Sequence, residues 1–193
     1  MADELKMDPG RIARLRNPER LEQVDPMRVL TVAGPLDAGP ILDVGAGVGF
    51  VTLPFARHFA ARDVVAVDIL QGMLDLLAAD AAANGLDNLK TALMPGPTAL
   101  PFTDGVGAML IMLQVHHELD DAAGLMTECR RVLAPGAPMV IVDWKPVDLP
   151  GVPKGGRRVP EARIVEDLVG AGFVDVGSHD LYPAHATVIG RAP

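Results

Sequence analysis

Apolar and polar positions along the chain predict strands and helices in alternation. Short runs that are apolar on both faces predict strands at 41–45, 64–69, 89–94, 107–115 and 138–143. Segments with helical spacing of apolar residues separate them, at 50–61, 72–84 and 121–133. Strands that are apolar on both faces and separated by helices are typical of a parallel sheet covered on both sides.

The segment before the first strand is predicted to form short helices. Asn17 and Asp25 each precede a proline, which is the pattern of a helix N-cap with proline at the first helical position. We therefore expect one broken helix or two short ones over 18–33, ending near Gly34. Residues 1–17 are predicted to be a flexible or lid-like arm, with a solvated tail as the alternative, and residues 18–193 a single domain.

The C-terminal part follows a different pattern. Residues 145–160 contain four prolines and a Gly-Gly pair, which predict a loop: Pro146, Pro150, Pro153, Pro160 and Gly155-Gly156. A helix is expected over 161–171, followed by strands at 174–181 and 186–191. Two strands this close along the chain must pair antiparallel, because a parallel return needs a dozen or more residues.

Composition and charge limit the classes of partner. The net charge is -8, and residues 34–129 carry twelve acidic side chains against three basic ones. An acidic centre argues against nucleic-acid binding and tolerates a cationic ligand. Cys129 is the only cysteine, so an intrachain disulfide and a cysteine-based metal cluster are excluded. Without an apolar leader or an apolar run of about 18 residues, we expect no membrane contact and a cytoplasmic location.

The stretch "ILDVGAGVGF" places three glycines directly after the first strand. A dinucleotide fingerprint would need a glycine at position 50, where Phe50 stands. Asp43 precedes the turn and would repel a pyrophosphate but attract a cationic ligand. Asp68 ends the second strand, where a carboxylate can accept both hydroxyls of a ribose. The turn alone leaves NAD and an adenosyl ligand open.

Several motifs in order resemble the class I S-adenosylmethionine-dependent methyltransferases, over roughly residues 18–193. "LDVGAGVG" is similar to their first motif and "VVAVDIL" to their second-strand acidic motif. "ALPF" with "VGAMLIMLQVHHELDD", and then "RRVLAPGAPMVIVDW", resemble the later strands of their small-molecule branch, which is methyltransferase-11-like. The "AGF" at 171–173 resembles the start of their terminal strand.

The resemblance implies an α/β fold with a Rossmann-like, doubly wound seven-stranded sheet, mostly parallel with an antiparallel C-terminal strand. It also implies that S-adenosyl-L-methionine is bound by a set of residues at the strand ends: Asp43, Gly45, Ala46, Gly47, Gly49, Asp68, Ile69, Thr98 and Gln114. Gly96 stands where many relatives have an acid that binds adenine, so Thr98, backbone groups or packing from Leu70 and Leu100 must replace it.

His116 and His117 follow the fourth strand, whose end faces the transferred methyl group in this family. Either histidine is a candidate general base or acceptor-positioning group, and the alternative is that the pair only ends the strand. Trp144 and Lys145 are candidates for the acceptor pocket. A metal site is not expected, because adjacent histidines at a strand end point apart.

The sequence therefore predicts S-adenosylmethionine-dependent methyl transfer to a small-molecule acceptor by in-line displacement. Two other hypotheses stay open, an NAD(P)-binding oxidoreductase and a catalytically silent methyltransferase-like binding module. The acceptor is not predicted beyond a weak preference for carbon, oxygen or sulfur. A homodimer is compatible with the sequence, and no nucleic-acid partner is expected.

Overall fold

Seven strands form one sheet in the computed structural model, which describes residues 7–148 and 156–193. The strands are β1 Ile41–Val44, β2 Val64–Asp68, β3 Leu89–Leu93, β4 Met109–Leu113, β5 Pro138–Trp144, β6 Val174–His179 and β7 His185–Arg191. Their order is β3-β2-β1-β4-β5-β7-β6, with β1 to β5 parallel and β7 antiparallel to both its neighbours. The predicted Rossmann-like sheet is confirmed.

The helices after β1 agree with the periodicity to within a few residues at their ends, whereas the helix over 9–15 lies in the segment predicted to be an arm. They are α1 Pro9–Leu15, α2 Arg20–Gln23, α3 Leu30–Ala33, α4 Thr52–His58, α5 Gln71–Ala83, α6 Ala122–Val132 and α7 Glu161–Gly170, with 3-10 turns at Pro26–Val29 and His116–Glu118. The predicted cap at Asp25 is present, because its carboxylate accepts from Met27 N at 2.9 Å. The expected interruption between 18 and 33 is thereby confirmed. Residues 50 and 51 belong to the turn after β1, so α4 begins only at Thr52.

Two apolar layers cover the sheet, and alternate residues of each strand serve opposite layers. In β4, Leu110 and Met112 pack towards α6 and α7, whereas Ile111 packs towards α4 and α5. All five residues of β4 are buried, which explains why that strand has no polar face. Polar groups are therefore concentrated where the parallel strands end.

Part of the predicted Pro/Gly loop, including Pro150, Pro153 and Gly155, lies outside the described residues. Within residues 7–148 and 156–193, no helix is long and apolar enough to span a membrane. The same ranges contain no group of three or more histidine, cysteine or acidic side chains placed to hold a metal ion.

Candidate active site

A cavity of about 460 Å³ opens at the carboxyl ends of β1, β2, β4 and β5. Open α/β sheets bind ligands at this edge, where the strand order reverses between β1 and β4. The N-terminal segment forms a further wall, which includes Arg11, Leu15 and Arg20. The volume lies within the range of cavities that hold cofactor-sized ligands.

Asp68 holds the glycine turn at the base of the cavity. Its Oδ2 accepts from Gly47 N at 2.8 Å and its Oδ1 accepts from Leu70 N at 2.9 Å. Gly45 N and Ala46 N donate to Val67 O at 2.8 and 3.1 Å, which ties the same turn to β2. All four of the predicted residues in this group, Asp68, Gly45, Ala46 and Gly47, line the cavity.

Gly47 and Gly49 have different roles, although the motif makes them look equivalent. A Cβ added at Gly47 would meet nothing within 4 Å, so that backbone is open to a ligand. A Cβ at Gly49 would collide with Leu77 Cδ1, and Gly49 lies outside the cavity lining. Both glycines have positive φ, at 53° and 85°. Gly49 therefore serves the packing of the turn on α5.

Asp43 is buried at the end of β1, beside the glycine turn. Its Oδ2 accepts from Thr52 Oγ1 at 2.5 Å. Burial raises the pKa of Asp43 to about 7, against the lowering effect of the Thr52 hydrogen bond and with a further rise from Asp68. A bound cation next to this carboxylate would favour its ionised form.

The outer part of the cavity is more apolar. Ile69 is 44% exposed although it is aliphatic, and it lines the cavity with Leu70, Pro97 and Thr98. An exposed aliphatic side chain beside Asp68 provides packing surface for an apolar group of a ligand. Gly96, at the place of the usual adenine-binding acid, pairs with Ala99 in an isolated bridge. The predicted residues Ile69 and Thr98 thus lie together at this end.

The turn after β4 separates the two candidate histidines. His117 lines the cavity, and its Nδ1 lies 2.7 Å from Asp143 Oδ1. His116 points into the protein, where its Nε2 lies 3.1 Å from Asp167 Oδ2. Burial lowers the pKa of His116, and the nearby Asp167 only partly offsets this. The structure therefore brings only His117 to the cavity.

Gln114 lies at the end of β4 with a φ of 60°, which is unusual for a residue with a side chain. Its Oε1 accepts from Arg20 Nη2 at 2.9 Å, and its Nε2 lies 2.8 Å from His185 Nε2. Trp144 also lines the cavity, whereas Lys145 turns away to donate to Tyr182 O at 2.9 Å. Gln114 and Trp144 thus share the wall that holds His117.

Sequence reasoning missed two residues of the site. Asp143 is fully buried and orients His117, and a carboxylate inside the apolar run "PMVIVDW" was the available signal. Arg20 reaches the cavity from α2, 94 residues away from its partner Gln114. A contact across that separation leaves no local pattern in the sequence.

The charges around the cavity favour a cationic ligand. Its lining contains five carboxylates and two guanidinium groups: Asp43, Asp68, Glu118, Asp120, Asp121, Arg11 and Arg20. The sheet order, the glycine turn and the acid at the end of β2 define a Rossmann-like domain with a site for an adenosyl cofactor.

Comparison with known proteins agrees with this class. A family model described as a methyltransferase domain matches residues 41–136. The ubiquinone/menaquinone biosynthesis C-methyltransferase UbiE of Desulfotalea psychrophila is 27% identical over 178 residues, covering 77% of this chain and 71% of that protein. The demethylmenaquinone methyltransferase of Thermus thermophilus is 30% identical over 147 residues, covering 74% of this chain and 64% of that protein.

A solved structure shows the same likeness over nearly the whole chain. It is a SAM-dependent methyltransferase from Aquifex aeolicus, with a TM-score of 0.87 and 26% identity, covering 96% of this chain and 99% of that one. The chain belongs to the class I S-adenosylmethionine-dependent methyltransferases. It is accordingly a methyltransferase, and its cofactor is S-adenosylmethionine.

The two glycines generate a paired prediction. Gly49→Ala should lower the free energy of unfolding of the ligand-free protein by about 2–4 kcal/mol, through strain and overpacking on Leu77. Gly47→Ala should cost only about 1 kcal/mol in stability. Its Cβ should instead weaken the binding of S-adenosylhomocysteine, the demethylated cofactor. Urea unfolding and calorimetric titration measure the two effects, and equal destabilisation by both variants would contradict the distinction.

The raised pKa of Asp43 predicts a pH-dependent stability. The pKa is about 7 in the folded protein and near 3.8 when unfolded, so the carboxyl group stabilises the fold below pH 4 and this contribution is lost as the pH rises towards 7. Asp43→Asn removes the titration. Its stability relative to the natural protein should rise by roughly 2 kcal/mol between pH 5.5 and 8.5 in urea unfolding. A difference independent of pH would contradict this account, and Asp75→Asn, on the exposed side of α5, is the control.

Proposed function

We propose that this methyltransferase acts on a small molecule that carries an acidic hydroxyl group, with His117 as the general base. The proposal rests on one observation, the contact between His117 and the buried Asp143 at the cavity wall. An in-line methyl transfer needs alignment of the acceptor, and it needs a base only when the acceptor must lose a proton. A histidine that Asp143 holds in position therefore indicates an acceptor that must lose a proton.

Asp143 holds His117 through both of its carboxylate oxygens. Oδ1 lies 2.7 Å from His117 Nδ1, and Oδ2 accepts from His117 N at 2.9 Å. Trp144 N also donates to Oδ1 at 2.7 Å, which fixes the carboxylate itself. An Nδ1–H that donates to Asp143 leaves Nε2 as the atom that accepts a proton.

The cavity accommodates the cofactor in a way that leaves this wall for the acceptor. Asp68 would hold the ribose hydroxyls, the open backbone at Gly47 would allow the cofactor chain to approach, and Ile69 with Thr98 would pack on the adenine. When bound, S-adenosylmethionine supplies an electrophilic methyl group on a sulfonium that departs as a neutral thioether. The turn after β4, with Gln114 and His117, borders the remaining space.

In the proposed step, His117 Nε2 takes the proton of the acceptor hydroxyl. The freed oxygen electron pair, or the ring carbon made electron-rich by it, forms the new bond to the methyl carbon. The imidazolium that results is stabilised by the Asp143 carboxylate. After transfer to carbon, the proton displaced from that carbon leaves to solvent.

The relatives supply the class of acceptor for this proposal. One of the two relatives described above is named as a C-methyltransferase of ubiquinone and menaquinone biosynthesis, and the other as a methyltransferase of demethylmenaquinone. Reduced quinone precursors carry ring hydroxyls of the kind that a histidine base deprotonates. The acidic lining supports a small-molecule acceptor over a nucleic acid, whose phosphates it would repel.

The position of α1 supports the predicted lid-like role of the N-terminal arm. α1 has no buried residue, and one ion pair from α1 and one from Arg16, directly after it, attach this segment to the rest of the chain. Arg11 pairs with Glu118 at 3.2 Å beside the cavity, and Arg16 pairs with Asp80 at 2.6 Å. Exposed pairs contribute little stability and are screened by salt. The cytoplasmic location and a homodimer stay predictions.

Transfer of a labelled methyl group from S-adenosylmethionine to a panel of catechols, hydroquinones and naphthohydroquinones tests the proposal. His117→Gln should lower kcat by about 100-fold or more against the best acceptor, because the base is lost. Asp143→Asn should lower it by a similar factor, because it frees the imidazole. S-adenosylhomocysteine affinity should change by less than about threefold in both variants.

Several outcomes would contradict the proposal, and each has a distinct meaning. If His117→Gln keeps full activity, His117 is not the general base. Cofactor binding without transfer to any hydroxylated acceptor favours the silent binding module. Thermal stabilisation by NADH, and none by S-adenosylhomocysteine, favours the oxidoreductase. His179→Gln, at an edge strand away from the cavity, serves as the control variant.

A further inference from the structure

Arg20 places a guanidinium group in the cavity without a neighbouring carboxylate. In residues 7–148 and 156–193, no acidic oxygen lies within 4.0 Å of it, although the lining contains five carboxylates. The other arginine of the lining, Arg11, is already paired with Glu118. Burying a cation without a counter-ion lowers the stability of the fold. We therefore expect an anionic ligand to pair with Arg20 in the cavity.

The surroundings of Arg20 hold its side chain in one position. Its Nη1 donates to Leu15 O at 2.7 Å and its Nη2 donates to Gln114 Oε1 at 2.9 Å. Its Cζ lies 3.9 Å from the centroid of the Phe50 ring, so the guanidinium stacks on an aromatic face. Two of five N–H groups have these acceptors, and the rest stay available for another.

Phe50 and Gln114 come from the two halves of the site. Phe50 follows the glycine turn of β1, on the cofactor side, and Gln114 ends β4, on the acceptor side. Gln114 adopts its unusual positive φ while its amide lies between Arg20 and His185. Backbone conformations of this kind are unfavourable and persist where the surroundings enforce them. Arg20 thus lies at the boundary between the two ligands.

The charges indicate what kind of anion can bind. Burial lowers the pKa of Arg20 to about 10, so the group stays cationic at neutral pH. A planar carboxylate matches the fork of a guanidinium and carries a single charge. A phosphate carries up to two charges and would meet stronger repulsion from Asp43 and the other acids of the lining. A carboxylate is therefore the better match.

We propose that Arg20, held by Phe50, Gln114 and the Leu15 carbonyl, is the carboxylate receptor of the cavity. The inference extends the proposed function, because it assigns a ligand group to the same site. The carboxylate can come from two ligands, from the amino-acid group of the cofactor or from the acceptor. In either case the guanidinium neutralises the anion and fixes its orientation beside Gln114.

Calorimetric titration of the full chain distinguishes a carboxylate of the cofactor from a carboxylate of the acceptor. The first ligand pair is S-adenosylhomocysteine and 5′-(3-aminopropylthio)-5′-deoxyadenosine, which is the same molecule without the carboxylate. The second probe is benzoate, titrated with and without saturating S-adenosylhomocysteine. The variants are Arg20→Met and Arg20→Lys, and the control is Arg28→Met. Arg28 stacks over Tyr182 at 5.1 Å in the same N-terminal segment but outside the cavity lining.

If the cofactor supplies the carboxylate, Arg20→Met should weaken S-adenosylhomocysteine binding by about 10- to 100-fold and leave the decarboxylated ligand unchanged. If the acceptor supplies it, Arg20→Met should abolish benzoate binding to the cofactor complex and leave both nucleosides unchanged. Arg20→Lys should retain part of the affinity, because it keeps the charge and loses the fork. Arg28→Met should change none of these affinities.

Equal weakening of both nucleosides by Arg20→Met would overturn the proposal, since Arg20 would then only support the turn. Unchanged binding of every probe would overturn it as well. Thermal unfolding of the ligand-free variants shows whether a loss reflects folding, and Arg20→Lys covers the case in which the methionine variant is unstable. If the natural protein fails to bind either nucleoside, the cofactor assignment fails. The benzoate titration without nucleoside then still tests Arg20.

Discussion

The hydrogen bond from Gly47 N to Asp68 Oδ2 is the contact on which the site depends. It joins the turn after β1 to the end of β2, and the same carboxylate also receives Leu70 N. Gly45 N and Ala46 N tie the turn to β2 through Val67 O, and this further bond fixes its backbone relative to the carboxylate itself. With it, one acidic side chain both shapes the turn and faces the cavity, so fold and ligand binding share a residue.

A second carboxylate organises the opposite side of the cavity. Asp143, near the end of β5, accepts from Trp144 N and from His117 N, and it contacts His117 Nδ1 in the turn after β4. The two sides of the cavity are therefore each built around a buried acid at a strand end. Arg20 connects the two sides through Phe50 and Gln114. The parallel sheet makes this possible, because it brings the carboxyl ends of β1, β2, β4 and β5 to one edge.

Much of this arrangement could be predicted from the sequence, because it is encoded locally. Strands apolar on both faces, helical spacing between them and the short final hairpin determine the sheet and its antiparallel strand. Asp43, Gly47 and Asp68 follow from their positions at strand ends. The choice between His116 and His117 could not be made, because it depends on the orientation of a 3-10 turn. Gly49 looked like a ligand contact, since a motif does not show that α5 packs there.

The residues that the sequence did not reveal act through distant contacts. Arg20 and Gln114 are 94 residues apart, and His117 and Asp143 are 26 apart. Neither pair has a spacing that a helix or strand would impose, so only the folded chain brings them together. The N-terminal segment was expected to be an arm or a tail, and its contribution of Arg11, Leu15 and Arg20 to the cavity became visible only in three dimensions.

A crystal structure of the protein with S-adenosylhomocysteine is the most direct test of the central claim. The account predicts that the ribose hydroxyls contact Asp68, that the sulfur lies towards the wall formed by Gln114 and His117, and that His117 keeps its contact with Asp143. A nucleoside bound with its sulfur away from His117, or an imidazole turned out of the cavity, would contradict it.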